Sequence, residues 1–479
     1  MKFREVSFNE KVFIIILLVL SCILFIIGKS GWFLNDDFYL LDQAKTLKLL
    51  SPFYDNMFYR PIAHISFFVQ QKISGLKFYP YLIVNILIHL INTFLLYYLM
   101  ILLARSKGES FPDLTGKLLV MIFFVHPTGI EVVQWSSART DSLAGLFVFS
   151  SVIALLKGKN NVSIFLYALA LLSKEIAIAA LLPYIFISYF KDKKNLKKNL
   201  LKYSLVTIIY VALRYFVLRN LFFKTIEQHI LEPYQRIAHL ILYLFMPYFN
   251  YCIKLLGLIT PIVFLVVFSI SIILISIHLF MKNPFYLFII AGFWGFLFVA
   301  ISSYIIGLRY LYLPLFFGVL LLYCMRLENK IPKSFLKKIN IFIFLVICLF
   351  THLFGLQMEG FIDHGRIVRV FARDLLFNKH EFDDKERTIY AIDFLPVHVT
   401  HFLNDVSFSG LLRLYDFKVT NGVILYTVPK GSRLVYSSAP QAMKEGINAE
   451  MWISPPPGYL IFFQPEGKLW RIESIIKNF

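Results

Sequence analysis

The chain has 479 residues, 58% of them hydrophobic and only 16% charged, and its mean hydropathy is +0.69. These values exclude an ordinary water-soluble domain, in which about 25% of residues are charged, and point to a polytopic membrane protein. The net charge of +19 does not call for a nucleic-acid partner, because the basic residues gather in short loops between apolar runs, as the positive-inside rule requires.

A span needs roughly 20 apolar residues. The first such run, 12–27, follows Lys2, Arg4 and Lys11 and has no A-x-A-like cleavage site after it, so it is expected to stay as an uncleaved first helix. Basic clusters at 2–11, 105–107, 157–159, 191–198 and 330–338 mark the cytoplasmic side. Residues 29–78 are then a long first outer loop, and 79–103 return to the inside. Residues 118–125 rise to a polar corner, "HPTGIEVVQWSSARTD" (126–141), and 143–156 descend. The stretch 161–190 lies between two basic clusters and must cross an even number of times. Ser173, Lys174 and Glu175 are therefore expected as an outer turn between two short helices.

Residues 203–218 go out again, and 237–258, broken by Pro247 and Asn250, reads as a re-entrant or interfacial hairpin. Segments 262–280, 285–301, 310–323 and 339–356 complete a bundle of about eleven spans. The cysteines Cys22, Cys252, Cys324 and Cys348 all lie in or beside apolar runs and read as packing residues. Beyond 356 the composition changes. The runs 388–394, 422–428, 433–438 and 459–472 are strand-like, the last with Pro465-Glu466-Gly467 between apolar arms as a hairpin signal. With a helical pattern at 363–377, they predict a small extracytoplasmic α+β domain over 357–479, following a transmembrane domain over 1–356.

Ionisable groups at membrane depth are functional-site candidates by default, and five polar groups fall on the outer face. Asp36 and Asp37 stand just past the first span. They are either a solvated pair capping a helix that begins near Phe38, or a general base whose neighbour tunes its pKa. Arg60, just before Pro61, starts a helix near the interface with proline in its first turn, and either snorkels or grips a phosphate through its planar fork of donors. The corner 126–141 brings His126, Glu131, Arg139 and Asp141, in which Glu131 and Arg139 can pair with each other. Its spacing is not that of zinc ligands, so zinc is not expected; no cofactor is certain, and a divalent metal is left open without being indicated. Lys174-Glu175 and Arg309 complete the set, the latter beside Tyr310 and Tyr312 at the depth of an aromatic belt. Arg60, Arg139, Lys174 and Arg309 thus crowd a face that the charge rule makes poor in cations. An outer cavity of this kind suits a substrate bearing phosphate and sugar, and its apolar walls suit a lipid tail.

"NDDFYLLDQ", "YRPIAHISFFVQQKISGL" leading into "YLIVNILIHLINTFLLYYL", "FFVHPTGIEVVQWSSARTDSLAGLF", "LALLSKEIAIAALLP" and "RYLYLP" follow one another over roughly residues 30–320. In this order they resemble the GT-C fold membrane glycosyltransferases. The resemblance is strongest to the protein O-mannosyltransferase-like group that includes the transmembrane and tetratricopeptide-repeat-containing mannosyltransferases. It implies a polyprenyl- or dolichyl-phosphate-linked sugar donor and inverting transfer on the outer face, with an aspartate of the first outer loop as base. Carried over, Asp36 is the expected base and Asp37 its partner. Arg60, His126, Glu131, Arg139, Lys174, Glu175 and Arg309 fall on the group's donor-binding motifs, the cations facing the phosphate that leaves. The chain differs from that group in having no tetratricopeptide repeats and no acidic residue immediately before Arg309, which leaves protein, glycan or lipid open as acceptor.

Two other classes compete. A transporter or flippase of lipid-linked glycans would also line a pathway with charge, but such proteins show inverted repeats and helices interrupted at the midplane, and no half-to-half symmetry is seen here. A non-catalytic scaffold would leave the aspartate pair without a task. The expected setting is a multi-pass protein of a bacterial inner or plasma membrane, with the active site and C-terminal domain outside.

Overall fold

The computed structural model describes residues 8–52, 58–219, 259–302, 308–329, 331–382, 388–393, 405–419, 421–427, 434–436, 458–466 and 469–476. The hairpin expected at 237–258 lies outside them. The chain is a polytopic α-helical membrane protein. Among the described residues six helices are long and apolar enough to cross a bilayer, or seven if one pair bent by 53° counts as a single span. The about eleven spans expected would need shorter apolar helices to cross as well.

The elements follow the apolar runs. Helix α1 (Phe8–Gly28) leads to a first loop that itself holds two helices, α2 (Asp36–Gln43) and α3 (Pro61–Ser74). Next come α4 (Phe78–Ser106), α5 (Leu114–Val125), α6 (Thr128–Gln134), α7 (Arg139–Leu156), α8 (Asn160–Ser173), α9 (Leu181–Lys191) and α10 (Leu196–Leu218). Helices α11 (Ile259–Lys282), α12 (Leu287–Ser302), α13 (Tyr312–Glu328) and α14 (Lys333–Phe377) close the helical part. Pro61 occupies the first turn of α3 with Arg60 before it, where the missing N–H costs nothing. The turn at Lys174-Glu175 forms as a 3-10 segment, Glu175–Ala180, between α8 and α9.

Ion pairs tie the lysine-rich end of the bundle together. Lys117 meets Glu10 at 2.6 Å, Lys107 meets Glu328 at 2.6 Å, and Arg326 meets Asp113 at 2.9 Å. They join the start of α1 to that of α5, the end of α4 to that of α13, and the end of α13 to the start of α5. At the opposite ends Gly28 of α1 closes on Leu82 and Gln134, and Glu131 of α6 on the turn at Leu308, and the polar corners lie there.

The bend between α5 and α6 has a local cause. Pro127 has no N–H, and the Thr128 amide turns to His126 Nδ1 at 3.1 Å instead of continuing the helix. The freed Phe124 carbonyl accepts from His89 Nε2 at 3.0 Å, so a backbone group that lipid could not satisfy is paired inside the bundle. His89 is thereby a donor at Nε2, and its Nδ1 accepts from the Tyr312 hydroxyl at 2.8 Å. Asn92 donates to the same hydroxyl at 3.1 Å and to the Ser142 carbonyl at 2.9 Å. These bonds cross-link α4, α5, α7 and α13 just beneath the polar corners.

Helix α14 has 45 residues. At 1.5 Å per residue it is about 67 Å long, more than twice the roughly 30 Å of hydrocarbon. Its first part exposes the apolar side chains Phe342, Leu345 and Leu349, as a lipid-facing helix would, and its length exceeds what one crossing needs. The boundary expected at 356/357 thus falls inside one continuous helix. The segments read separately as 339–356 and 363–377 are joined, because nothing in the sequence between them breaks a helix. After it come β1 (Thr388–Asp393), α15 (Asp405–Leu414), β2 (Asn421–Thr427), β3 (Leu434–Tyr436), β4 (Gly458–Glu466) and β5 (Leu469–Ile476). The strands make one sheet in the order β3-β2-β1-β4-β5. Strand β1 is parallel to β2 and to β4, and β4–β5 is the expected antiparallel hairpin, with Glu466 opposite Leu469.

Candidate active site

Helix α2 begins at Asp36 itself rather than near Phe38, so both aspartates stand in its first turn, where carboxylates complement the helix dipole. Their environments differ sharply. Asp37 is fully buried. One of its oxygens accepts from the Leu34 amide at 3.0 Å, the other from the Ser137 amide at 2.6 Å. It therefore staples the first loop to the start of α7. Trp135 helps by donating to the Leu34 carbonyl at 3.3 Å. Asp36 is half-buried and lies within electrostatic reach of the Arg309 guanidinium.

The remaining charges form two linked groups. Glu175 holds Arg60 by two bonds, at 3.0 Å and 2.5 Å, and lies 3.9 Å from Arg214 of α10. Asp141, fully buried, accepts from Lys174 at 2.6 Å and stands 3.9 Å from Arg309. Glu131 receives the backbone amides of Leu308 and Arg309 at 3.2 and 3.1 Å, and its carboxylate is 3.6 Å from the Arg309 side chain. The Arg309 guanidinium stacks on Trp135 at 4.2 Å, and the Lys174 ammonium sits over Tyr310 at 4.6 Å. Aromatic faces thus supply part of the negative potential for cations removed from water.

Outside the spans, three groups have clear acid-base consequences. Burial pushes the Glu175 carboxyl up, but Arg60, Lys174 and Arg214 outweigh it and hold it down at about 2. Arg60 is raised in turn, because Glu175 outweighs the effect of its own burial. Burial drives Asp37 from 3.8 to about 7, aided by the Asp36 charge and opposed by the amides of Leu34, Ser137 and Ser136. A carboxyl raised in the folded state binds its proton more tightly there than in the unfolded chain. Its stabilisation is complete below about pH 4 and is lost as pH rises through about 7, an effect of about 4 kcal/mol at most. Thermal unfolding of the purified protein between pH 4 and pH 9 is expected to show this loss. Asp37→Asn should flatten it, and equal pH slopes for the two proteins would contradict the assignment.

Several expected donor contacts lie elsewhere. Arg139 is fully buried. Its donors go to Asn85 at 2.7 Å, Ser66 at 3.1 Å and the Tyr81 carbonyl at 3.2 Å, and it stacks on Phe67 at 4.7 Å. It is an internal brace behind Asp37, not a group open to a phosphate, and Glu131 pairs with Arg309 rather than with it. His126 is buried at the α5–α6 bend, with its ring edge-on to Phe350 at 4.7 Å. It lines an apolar cavity of about 750 Å³ between α5, α11, α13 and α14, together with Leu315, Val319, Phe342 and Phe350. Asp37, expected to tune its neighbour, has both oxygens taken by backbone amides.

Arg60, Glu131, Lys174, Glu175 and Arg309 do come together. Asp141 of the same polar corner links Lys174 to Arg309, and Arg214 extends the group beyond the expected residues. Arg214 left a signal, a cation within an apolar helix, but nothing in the sequence aligned it with Glu175. Among the described residues no group of three or more His, Cys, Asp or Glu side chains is arranged to hold a metal ion.

No family model matches the chain, and no curated protein matches it. Among solved structures it is similar to that of ArnT from Cupriavidus metallidurans bound to undecaprenyl phosphate, with a TM-score of 0.45 and 11% identity over 88% of this chain and 94% of that one.

Proposed function

We propose that the protein is a membrane glycosyltransferase of the GT-C type. In this reading it transfers a hexosyl or pentosyl unit, with inversion, from a polyprenyl-phosphate donor to an acceptor hydroxyl on the extracytoplasmic face. The observation that carries the reading is the division of labour at the aspartate pair. Asp37 is consumed by the fold, whereas Asp36 stays half-exposed within reach of Arg309. The five motifs that resemble this class, in their order along the chain, support it as well.

In this reading the aspartate and the cations divide the step between them. Asp36 takes the proton of the acceptor hydroxyl as that oxygen attacks the anomeric carbon. The bond from that carbon to the phosphate oxygen breaks, and polyprenyl phosphate leaves with the electron pair. Arg309 and Arg60, the cations of the cluster nearest to exposure, stabilise the charge that develops on the leaving phosphate. Lys174 contributes indirectly, through Asp141. The apolar cavity runs beside α5 and α13, whose neighbouring turns carry Glu131 and Arg309, and would take part of the prenyl chain.

The test is a screen of purified protein in detergent against polyprenyl-phosphate sugars, following the release of polyprenyl phosphate. Release with one donor is expected. Absence of release with every donor would favour a transporter of lipid-linked glycans.

A further inference from the structure

We infer that the C-terminal domain positions the catalytic aspartate, with Gly410 and Arg413 of α15 as positioning residues for helix α2. This rests on the role proposed above for Asp36.

Helix α2 has eight residues, far too few to be stable by itself. It is entered through Asn35 at φ +41°, a left-handed conformation that a side-chain-bearing residue holds only when its surroundings impose it. Ser137 and Trp135 supply part of those surroundings, and the far end of the chain supplies the rest. A β-carbon at Gly410 would lie 2.8 Å from the Tyr39 α-carbon, 2.9 Å from its nitrogen and 3.1 Å from the Phe38 carbonyl carbon. The neighbours are backbone atoms, which cannot swing aside, so α15 and α2 meet main chain to main chain.

Phe408, Leu411 and Leu412 of α15 share one buried cluster with Phe38, Leu40 and Leu41 of α2. Charges then latch the pair. Arg413 donates to Asp42 at 2.7 Å, and Lys45, just past α2, donates to the Arg413 carbonyl at 2.5 Å and to Asp416 at 3.2 Å. A second close approach secures the entry to α2, where a β-carbon at Gly365 of α14 would stand 2.6 Å from the Trp32 nitrogen. Arg60 and Arg309, proposed for the donor phosphate, are on neither α2 nor α15. The clamp therefore acts on the position of the base and leaves donor binding to other elements.

Gly410→Ala tests this, because its methyl must push α2 away by a few tenths of an ångström or more. Misplacing a catalytic group by about 1 Å can cost 10²-fold. The expected result is a fall in kcat of about 10- to 100-fold, with the donor KM within about twofold of wild type. Arg413→Asp, which sets an acid against Asp42 and Asp416, should lower kcat in the same way. The swap of Asp42→Arg with Arg413→Asp should restore most of it, a rescue that a mere loss of surface charge would not give.

Hydrogen exchange reads the clamp without turnover. Amides 36–43 should exchange faster in Gly410→Ala and Arg413→Asp, while those of α4 stay as in wild type. Faster exchange in α2 with no sugar transfer by wild type would uphold the clamp and overturn the glycosyltransferase reading. An active wild type, with unchanged kcat and unchanged α2 exchange in Gly410→Ala, would overturn the clamp and leave that reading standing.

Discussion

Asp36→Asn is expected to lower sugar transfer by about 10²- to 10⁴-fold, the usual contribution of a positioned general base, while the purified protein unfolds within about 0.5 kcal/mol of wild type, as is typical of substitutions outside the core. The reason is geometric. Asp36 is half-buried, and among the aspartates of the first turn it is Asp37 whose two oxygens hold the loop together. An asparagine amide in place of the Asp36 carboxylate would keep the size of the side chain and lose the capacity to accept a proton. The measurement is the rate of polyprenyl-phosphate release at saturating donor, alongside a melting curve of the same preparation. A variant that turned over donor at the wild-type rate would remove Asp36 as the base. A variant that was slow but also unfolded would transfer the structural role from Asp37 to Asp36.

Asp141→Ala is expected to be the most destabilising single change in the cluster, by about 3–5 kcal/mol. Asp141 is fully buried, and the Lys174 that it pairs with at 2.6 Å is 3% exposed. Removing the carboxylate leaves a buried ammonium without its ion-pair partner, facing the Tyr310 ring and the more distant charge of Glu175. Replacing both partners with apolar groups of similar size is far less costly than replacing one. Asp141→Ala combined with Lys174→Met should therefore recover most of the melting temperature. Activity should stay low in the double variant, because Arg309 loses the neighbour that stands 3.9 Å from it. If both variants melted together, the Asp141–Lys174 pair would not be the stabilising contact.

Asp37 and Arg139 show how far side-chain identity alone could be read. Both stand in motifs whose chemistry suits catalysis, and both are spent on architecture. Residue type and position do not distinguish Asp36 from Asp37, since both are acids in the first turn of one helix, and the local Leu34 amide takes up only one oxygen of Asp37. Their difference arises because the amide of Ser137, 100 residues away, points at one of them. Arg139 likewise turns inward because Asn85, Ser66 and the Tyr81 carbonyl offer it acceptors that lie far away in the chain.

By itself the sequence determined the class of molecule, the position of most apolar helices, the proline-led start of α3, the turn at Lys174 and the strands of the C-terminal part, but not the number of spans or the extent of α14. The features that it did determine are consequences of hydrophobic period, charge at helix ends and turn chemistry, all of which act over a few residues. Only the tertiary structure decided which ions pair, which aspartate stays accessible, where His126 and Arg139 turn, and that α14 runs unbroken across position 357 to bring α15 onto α2. Those choices depend on contacts between residues tens to hundreds of positions apart. A buried charge takes whichever partner the packing of helices delivers, and local pattern carries no record of that delivery.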